Sequence, residues 1–213
     1  MSLSPPPKLI YLHGFNSSPA SHKAQVLRNC FSARDQLQHY QVPELDSDPE
    51  RAMQDLVCLL DARVNDARVN KANITLLGSS LGGYYASFLA ERFGVRVVLV
   101  NPAVNPVSTL ASWVGYNENY NTREKYEFTQ EHLRQLAHYE IAGIAYPERY
   151  LVFLQTGDDT LDYREAADKY RHCDLHVEPG GSHGYSGFER IIPRILAFAG
   201  ISHLKPERSA SVS

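Results

Sequence analysis

The stretch LLGSSLGG, from Leu76 to Gly83, contains the pattern G-x-S-x-G with Ser80 at its centre. It follows a short apolar run and precedes a helical pattern, which is the context that a nucleophile elbow requires. A strand turns so sharply into a helix there that the flanking residues must be small, as Gly78 and Gly82 are. We therefore predict that Ser80 is a nucleophile. A glycine- and serine-rich turn without chemistry is the alternative.

Further apolar runs indicate a parallel sheet around this turn. Residues 8–12, 74–77, 95–100 and 150–154 are apolar almost throughout, and weaker strands are expected at 40–42 and 175–177. Helices are predicted at about 20–32, 48–69 and 188–199, the first two from a capping residue followed by proline. Buried strands alternating with helices are typical of an α/β protein with a mainly parallel sheet and helices on both faces.

The same pass along the chain predicts the domain organisation. Residues 1–205 are expected to form a single domain, and 206–213 a disordered tail. The stretch from about 104 to 148 is too long for a structureless loop, so we expect it to be a small cap insertion.

Composition excludes several classes of protein. The 213 residues are 43% hydrophobic, and 21 Lys and Arg against 24 Asp and Glu give a net charge of −3, so nucleic acid is not an expected partner. No apolar run approaches the ~20 residues that span a bilayer, and residues 9–12 are too short for a signal-peptide core. Three cysteines without a CxxC pattern indicate reduced thiols and a cytoplasmic protein. The oligomeric state is not encoded in any pattern that we recognise.

A serine nucleophile needs a base and an acid that orients the base. In this fold the chain order is nucleophile, acid, histidine, which favours His183 in the glycine-rich loop after the last predicted strand. The acid is Asp158 or Asp159, which the spacing does not separate, because Asp162 is explained as a helix cap.

Two backbone N–H groups are expected to stabilise the oxyanion that forms during acyl transfer. One belongs to Leu81, directly after the nucleophile. The other is expected from Phe15 in the turn after the first strand, where Gly14 lets the backbone approach the substrate. The His13 side chain is interpreted as a brace of that turn.

A substrate pocket is predicted near the insertion, from Asn16, Trp113, Tyr116 and Tyr120. Tryptophan and tyrosine offer apolar area with a polar tip, which suits a partly wet pocket. Packing of the insertion onto the sheet is the alternative explanation for these aromatic residues. His172, Asp174 and His176 alternate along a strand, and we interpret them as a solvated face rather than as a metal site.

Together these motifs resemble the YqiA-type esterases of the α/β-hydrolase superfamily. The stretches that carry the resemblance are YLHGFNSSP (11–19), GSSLGGYYA (78–86), NPAV (101–104), QTGDDTLDYREA (155–166) and GGSHGYSGFE (180–189). The resemblance implies catalytic roles for Ser80, Asp158 and His183. It also implies hydrolysis of short acyl esters or thioesters, with acyl-CoA proposed as a substrate for the family.

The expected function is therefore a serine esterase or thioesterase that forms an acyl-enzyme. Its expected partner is a small acyl ester or thioester, with no cofactor, no metal and no membrane. A binding or regulatory protein that kept the hydrolase fold without turnover is the alternative.

Overall fold

A six-stranded parallel sheet organises the chain, and the computed structural model describes residues 7–66 and 69–201. The strands are β1 (Lys8–Leu12), β2 (Tyr40–Gln41), β3 (Ile74–Ser80), β4 (Arg96–Pro102), β5 (Gly115–Glu118), β6 (Lys125–Phe128), β7 (Tyr150–Gln155) and β8 (Asp174–Glu178). The six-stranded sheet has the order β2-β1-β3-β4-β7-β8, whereas β5 and β6 form a separate antiparallel hairpin.

Helices cover both faces of the sheet, as the buried apolar strands predict. They are α1 (His22–Ser32), α2 (Pro49–Val64), α3 (Leu81–Phe93), α4 (Pro106–Thr109), α5 (Gln130–Ala137), α6 (Tyr163–Lys169) and α7 (Ile192–Phe198). Alternate residues of β1 enter different cores: Leu9 packs with α1 and α7, and Ile10 packs with α2 and α3. The period of two in strand side chains thus divides the apolar residues between two layers.

Two helix boundaries differ from the prediction. Helix α1 begins at His22 with Ser21 at its N-cap, because the Ser18 hydroxyl accepts from the Ala20 N–H and forms a turn around Pro19. Helix α2 starts after Asp48 as predicted but ends at Val64 rather than near Val69.

Packing accounts for the early end of α2. The last buried residue of α2 is Leu60, so further turns would have no core to cover.

The segment predicted as a helix over 188–199 begins with a 3-10 turn, Phe188–Ile191. The α-helix starts at Ile192 because Pro193 fits only the first turn.

The segment predicted as an insertion contains α4, the β5–β6 hairpin and α5. The hairpin docks on the loop after β1, where Asn16 bonds to the side chains of Asn117 (3.3 Å) and Tyr126 (2.6 Å) and its carbonyl accepts from the Tyr120 N–H. The tail predicted to be disordered, 206–213, lies outside the described residues. Within the described ranges, every helix is too short or too polar to cross a bilayer.

The strand order positions a site at the carboxyl edge of the sheet. The chain runs from β1 to the edge strand β2 and then to β3 on the other side of β1. Open parallel sheets bind ligands where the strand order reverses in this way. The loops after β1 and β3 therefore meet at the place where α/β proteins put their chemistry.

A glycine contact holds this junction together. A Cβ atom on Gly82, in the first turn of α3, would collide with the carbonyl oxygens of Leu12 and His13. Both obstacles are backbone atoms, which cannot move aside as a flexible side chain can. The helix that follows Ser80 therefore packs directly on the end of β1.

We expect Gly82→Ala to destabilise the fold by about 2 kcal/mol or more, because overpacking against backbone forces the helix away from β1. For a chain of this size the loss corresponds to a fall in Tm of roughly 4–8 °C. Gly143→Ala is the matched control, since a Cβ there meets nothing within 4 Å. Equal melting temperatures for the two variants, measured by calorimetry, would contradict the packing argument.

Candidate active site

Ser80 lies on a strained turn between β3 and α3. Its φ of 56° and ψ of −127° are rare for a residue with a side chain, and such conformations cost about 1–3 kcal/mol. The turn is also where the pairing of β3 with β4 shifts register, between Ser79 and Ser80. A Cβ on Gly78 would lie 2.6 Å from the Cα of Gly83, so the two arms of the turn touch. The small residues at these positions thus permit the conformation that exposes Ser80.

The structure brings His183 and Asp158 together with Ser80. His183 Nε2 lies 3.0 Å from Ser80 Oγ, and His183 Nδ1 lies 2.9 Å and 3.0 Å from the two oxygens of Asp158. A carboxylate can only accept, so Nδ1 carries a proton and donates it to Asp158. In the neutral ring Nε2 is then the acceptor for the Ser80 hydroxyl.

Asp158 is held as a buried carboxylate. Its side chain is 2% exposed, and the backbone N–H groups of Thr160 and Leu161 also donate to it, at 3.0 Å and 2.8 Å. Burial opposes its ionisation, but the hydrogen bonds from His183 and these N–H groups outweigh burial and lower the pKa of Asp158.

The neighbouring Asp159 has a different environment. It is exposed, and it accepts a 3.4 Å contact from the Thr160 hydroxyl. Only Asp158 of the two aspartates contacts the imidazole of His183, a distinction that spacing alone did not give. Asp162 caps α6 by accepting from the Arg164 N–H, as predicted.

Asn101 ties the histidine loop to two strand ends. Its Nδ2 donates to the carbonyl oxygens of Ser182 (3.0 Å) and His183 (3.2 Å), and its Oδ1 accepts from the Gln155 N–H (3.0 Å). Its φ of 41° is a second departure from ordinary strand geometry at this edge. A single buried amide thus connects β4, β7 and the loop that carries His183.

Gln155 makes a second tie to the same loop. Its Oε1 accepts from the N–H groups of Ser182 (3.1 Å) and Ser186 (2.8 Å), and its Nε2 donates to the Ser186 carbonyl (2.9 Å). Sequence reasoning assigned no role to Asn101 or Gln155. The signal was present, since each is a buried amide that ends an otherwise apolar strand, and buried amides require partners.

The loop after β1 approaches Ser80 from the opposite side. A Cβ on Gly14 would lie 3.1 Å from the Cβ of Ser80 and 3.6 Å from its Oγ. The N–H of Phe15, the next residue, donates no hydrogen bond within the described ranges. The N–H of Leu81 belongs to the first turn of α3, where N–H groups have no acceptor inside the helix. Both predicted oxyanion donors therefore lie on segments adjoining the serine.

His13 is buried beneath this loop. Its Nδ1 lies 3.1 Å from the Gly14 carbonyl oxygen, so the side chain braces the turn, whereas Nε2 has no protein partner in the described chain. Burial lowers the pKa of His13, which keeps the ring neutral.

Two cavities open on either side of the loop after β1. One, of about 270 Å³, contains Ser80, His183 and Tyr120. The other, of about 230 Å³, lies behind Phe15 and Leu81. Its wall combines apolar and aromatic side chains, among them Tyr85, Tyr126 and Phe128, with polar ones that include the carboxylates of Glu44, Asp46 and Glu124. The two cavities share Gly14, Phe15 and Ser17.

All four residues of the predicted pocket line one surface cleft, but this cleft contains neither Ser80 nor His183. Tyr120 also lines the cavity of Ser80, and Asn16 also lines the cavity behind Phe15. Trp113 and Tyr116 line neither of those two cavities. Trp113 packs edge-on against Phe15 with ring centroids 5.7 Å apart, and Tyr116 is 89% exposed.

Asp174 and His176 lie on one face of β8, as the alternation predicts, whereas His172 lies in the turn before this strand. His176 Nε2 lies 2.9 Å from the Asp174 carboxylate, which also pairs with Arg194. In the part of the chain that the structure describes, no group of three histidine, cysteine or carboxylate side chains is arranged to hold a metal ion.

Solved structures of known proteins share this architecture. Alpha/beta hydrolase domain-containing protein 10 from mouse aligns with a TM-score of 0.63 over 93% of this chain and 90% of its own, at 13% identity. Est1E from Butyrivibrio proteoclasticus aligns with a TM-score of 0.64 over 92% and 87%, at 15% identity. These likenesses confirm the predicted α/β-hydrolase fold.

Sequence comparison identifies closer relatives. A UPF0227 protein of Citrobacter koseri is 24% identical over 201 residues, covering 89% of this chain and 97% of the relative. The UPF0227 protein YcfP of Escherichia coli O9:H4 is 23% identical with the same coverage. The model of the family described as uncharacterised protein family UPF0227 matches residues 8–200. Because that match spans almost all of the described chain, the protein belongs to the UPF0227 family.

Proposed function

We propose that this protein is a serine hydrolase that cleaves short-chain acyl esters or thioesters through an acyl-enzyme. The observation that carries the proposal is the continuous hydrogen-bonded series from Ser80 through His183 to Asp158. Ser80, at one end of this series, has an unusual backbone conformation and lines a cavity. Nucleophile, base and orienting acid within hydrogen-bond reach are the arrangement that activates a serine hydroxyl.

The reaction follows from this geometry. Ser80 Oγ attacks the acyl carbon and its proton passes to His183 Nε2, while Asp158 stabilises the imidazolium that forms. Negative charge grows on the former carbonyl oxygen, which the N–H groups of Phe15 and Leu81 are suited to bind. The bond between the acyl carbon and the leaving group then breaks, and His183 gives the proton to the departing oxygen or sulfur. Water, deprotonated by the same imidazole, releases the acid from Ser80.

The two cavities suggest a place for each half of the substrate. His183 protonates the leaving group, so that half should occupy the cavity lined by Ser80 and His183. The acyl chain should then enter the cavity behind Phe15 and Leu81, where each methylene buried against the aromatic side chains gains about 0.8 kcal/mol until the space is full. A volume of about 230 Å³, only part of whose wall is aromatic, favours short chains.

Ser80→Ala tests the nucleophile. We expect hydrolysis of 4-nitrophenyl butyrate to fall by on the order of 10⁴-fold or more in kcat, because the members of such a catalytic group act as a unit. The thermal melt should stay close to that of the wild type, since the hydroxyl contributes no packing to either core. A fluorophosphonate probe should label the wild type and not the variant. Absence of labelling in the wild type would favour a binding or regulatory protein without turnover.

The two adjacent aspartates form a matched pair for the acid. Asp158→Asn should cost several orders of magnitude in kcat/KM, because an amide supports the wrong imidazole tautomer and cannot balance its positive charge. Asp159→Asn should retain nearly full activity, because that carboxylate is exposed and does not contact His183. The reverse ranking in parallel assays would rule out the assignment of Asp158.

Variants of Trp113 and Tyr116 test whether the acyl chain binds in the cavity behind Phe15 or in the surface cleft. If the acyl chain binds behind Phe15, Trp113→Ala should lower kcat/KM by a similar factor for acetate, butyrate and octanoate esters, through the loss of packing on Phe15. Tyr116→Ala should leave all three rates unchanged because its ring is exposed. A shift of the Trp113→Ala enzyme toward octanoate would instead assign the acyl chain to the surface cleft.

A further inference from the structure

The cavity that contains Ser80 also holds a lysine that the proposed reaction does not use. Lys23 belongs to the first turn of α1, whose start packs beside the loop after β1. It lines the cavity together with Ser80, His183 and Tyr120. Any group that enters this cavity to reach the nucleophile therefore meets a lysine side chain.

This lysine lacks a counter-ion. Within residues 7–66 and 69–201, Lys23 makes neither an ion pair nor a hydrogen bond through its side chain, whereas its neighbour His22 lies 3.6 Å from Glu189. The carboxylate with the clearest electrostatic effect on it is Asp158. Asp158 is already occupied, however, by two backbone N–H groups and by His183.

Burial makes this arrangement costly for the free protein. It lowers the pKa of Lys23 to about 8, because the ammonium group loses much of its hydration. The side chain is still largely protonated at pH 7. A partly desolvated cation without a partner is unfavourable, and an anion that enters the cavity would relieve that cost.

We propose that Lys23 binds a carboxylate or phosphate on the leaving group of the substrate, so that the enzyme prefers esters or thioesters whose alcohol or thiol is anionic. This inference rests on the proposed function and adds a substrate class to it. The anion is assigned to the leaving group rather than to the acyl group, because His183 must reach the departing oxygen or sulfur to protonate it. Lys23 lines the same cavity as that imidazole.

Two matched substrate pairs test the proposal at pH 7. The first is 4-nitrophenyl butyrate and its 3-carboxy derivative, which differ by a carboxylate on the leaving group. The second is the butyryl thioester of pantetheine and that of pantetheine 4′-phosphate, which differ by a phosphate. The quantity measured is the ratio of kcat/KM for the anionic and the neutral member of each pair.

We expect Lys23→Met to lower this ratio by about tenfold to a hundredfold in at least one pair, as the loss of a charge-assisted hydrogen bond would do. Lys23→Arg should retain most of the wild-type ratio, because it keeps the charge. Lys71→Met should leave the ratio unchanged, since Lys71 is exposed before the start of β3, at the opposite edge of the sheet. The pair that responds distinguishes a carboxylate from a phosphate.

Two results would overturn the inference while leaving the proposed function intact. One is a ratio that Lys23→Met does not change in either pair. The other is an equal loss for both members, which would mean that Lys23 acts on Asp158 and His183 rather than on the substrate. Failure of the proposed function is distinct, because the wild type would then show no Ser80-dependent hydrolysis of any of the four compounds.

Discussion

The left-handed backbone of Ser80 is the constraint on which the rest of the structure depends. A residue with a side chain occupies this conformation only where its surroundings hold it, at a cost of about 1–3 kcal/mol. Here β3 enters the turn from a paired strand, and α3 leaves it packed against the backbone ends of β1 through Gly82. The stability of the two cores therefore maintains a turn that would not persist in isolation. This turn points the Ser80 hydroxyl out of the sheet.

Two buried side-chain amides fix the position of the loop that carries His183 beside Ser80. Asn101 and Gln155 lie at the carboxyl ends of β4 and β7, and both bond to backbone atoms of the loop that carries His183. Hydrogen bonds of this kind contribute about 1 kcal/mol each to stability. Their larger effect is on geometry, because a loop rich in glycine would otherwise sample many positions. The 3.0 Å contact between His183 Nε2 and Ser80 Oγ needs that restriction.

Charge is distributed unevenly around Ser80. His13 is buried and neutral beneath the loop after β1, and the cavity behind Phe15 combines aromatic side chains with the carboxylates of Glu44, Asp46 and Glu124. The other cavity contains the imidazole of His183 and the ammonium of Lys23. The two sides of Ser80 thus offer different environments to the two halves of an ester. This asymmetry of charge gives the proposed reaction a direction, because an anionic leaving group is better placed beside Lys23 than beside the three carboxylates.

The sequence alone determined the class of fold, the elbow at Ser80 and the strands around it, because these depend on local patterns: apolar runs, glycine spacing and capping residues. It also predicted a base at His183 from chain order, and an acid at Asp158 or Asp159. Only the tertiary structure shows that the Asp158 carboxylate meets the imidazole, since this contact depends on the path of the turn after β7. It also separated Trp113 and Tyr116 from Ser80 and brought Lys23 beside it. These relations join residues far apart in the chain, and no local pattern records them because they depend on how α1 and the β5–β6 hairpin pack on the sheet.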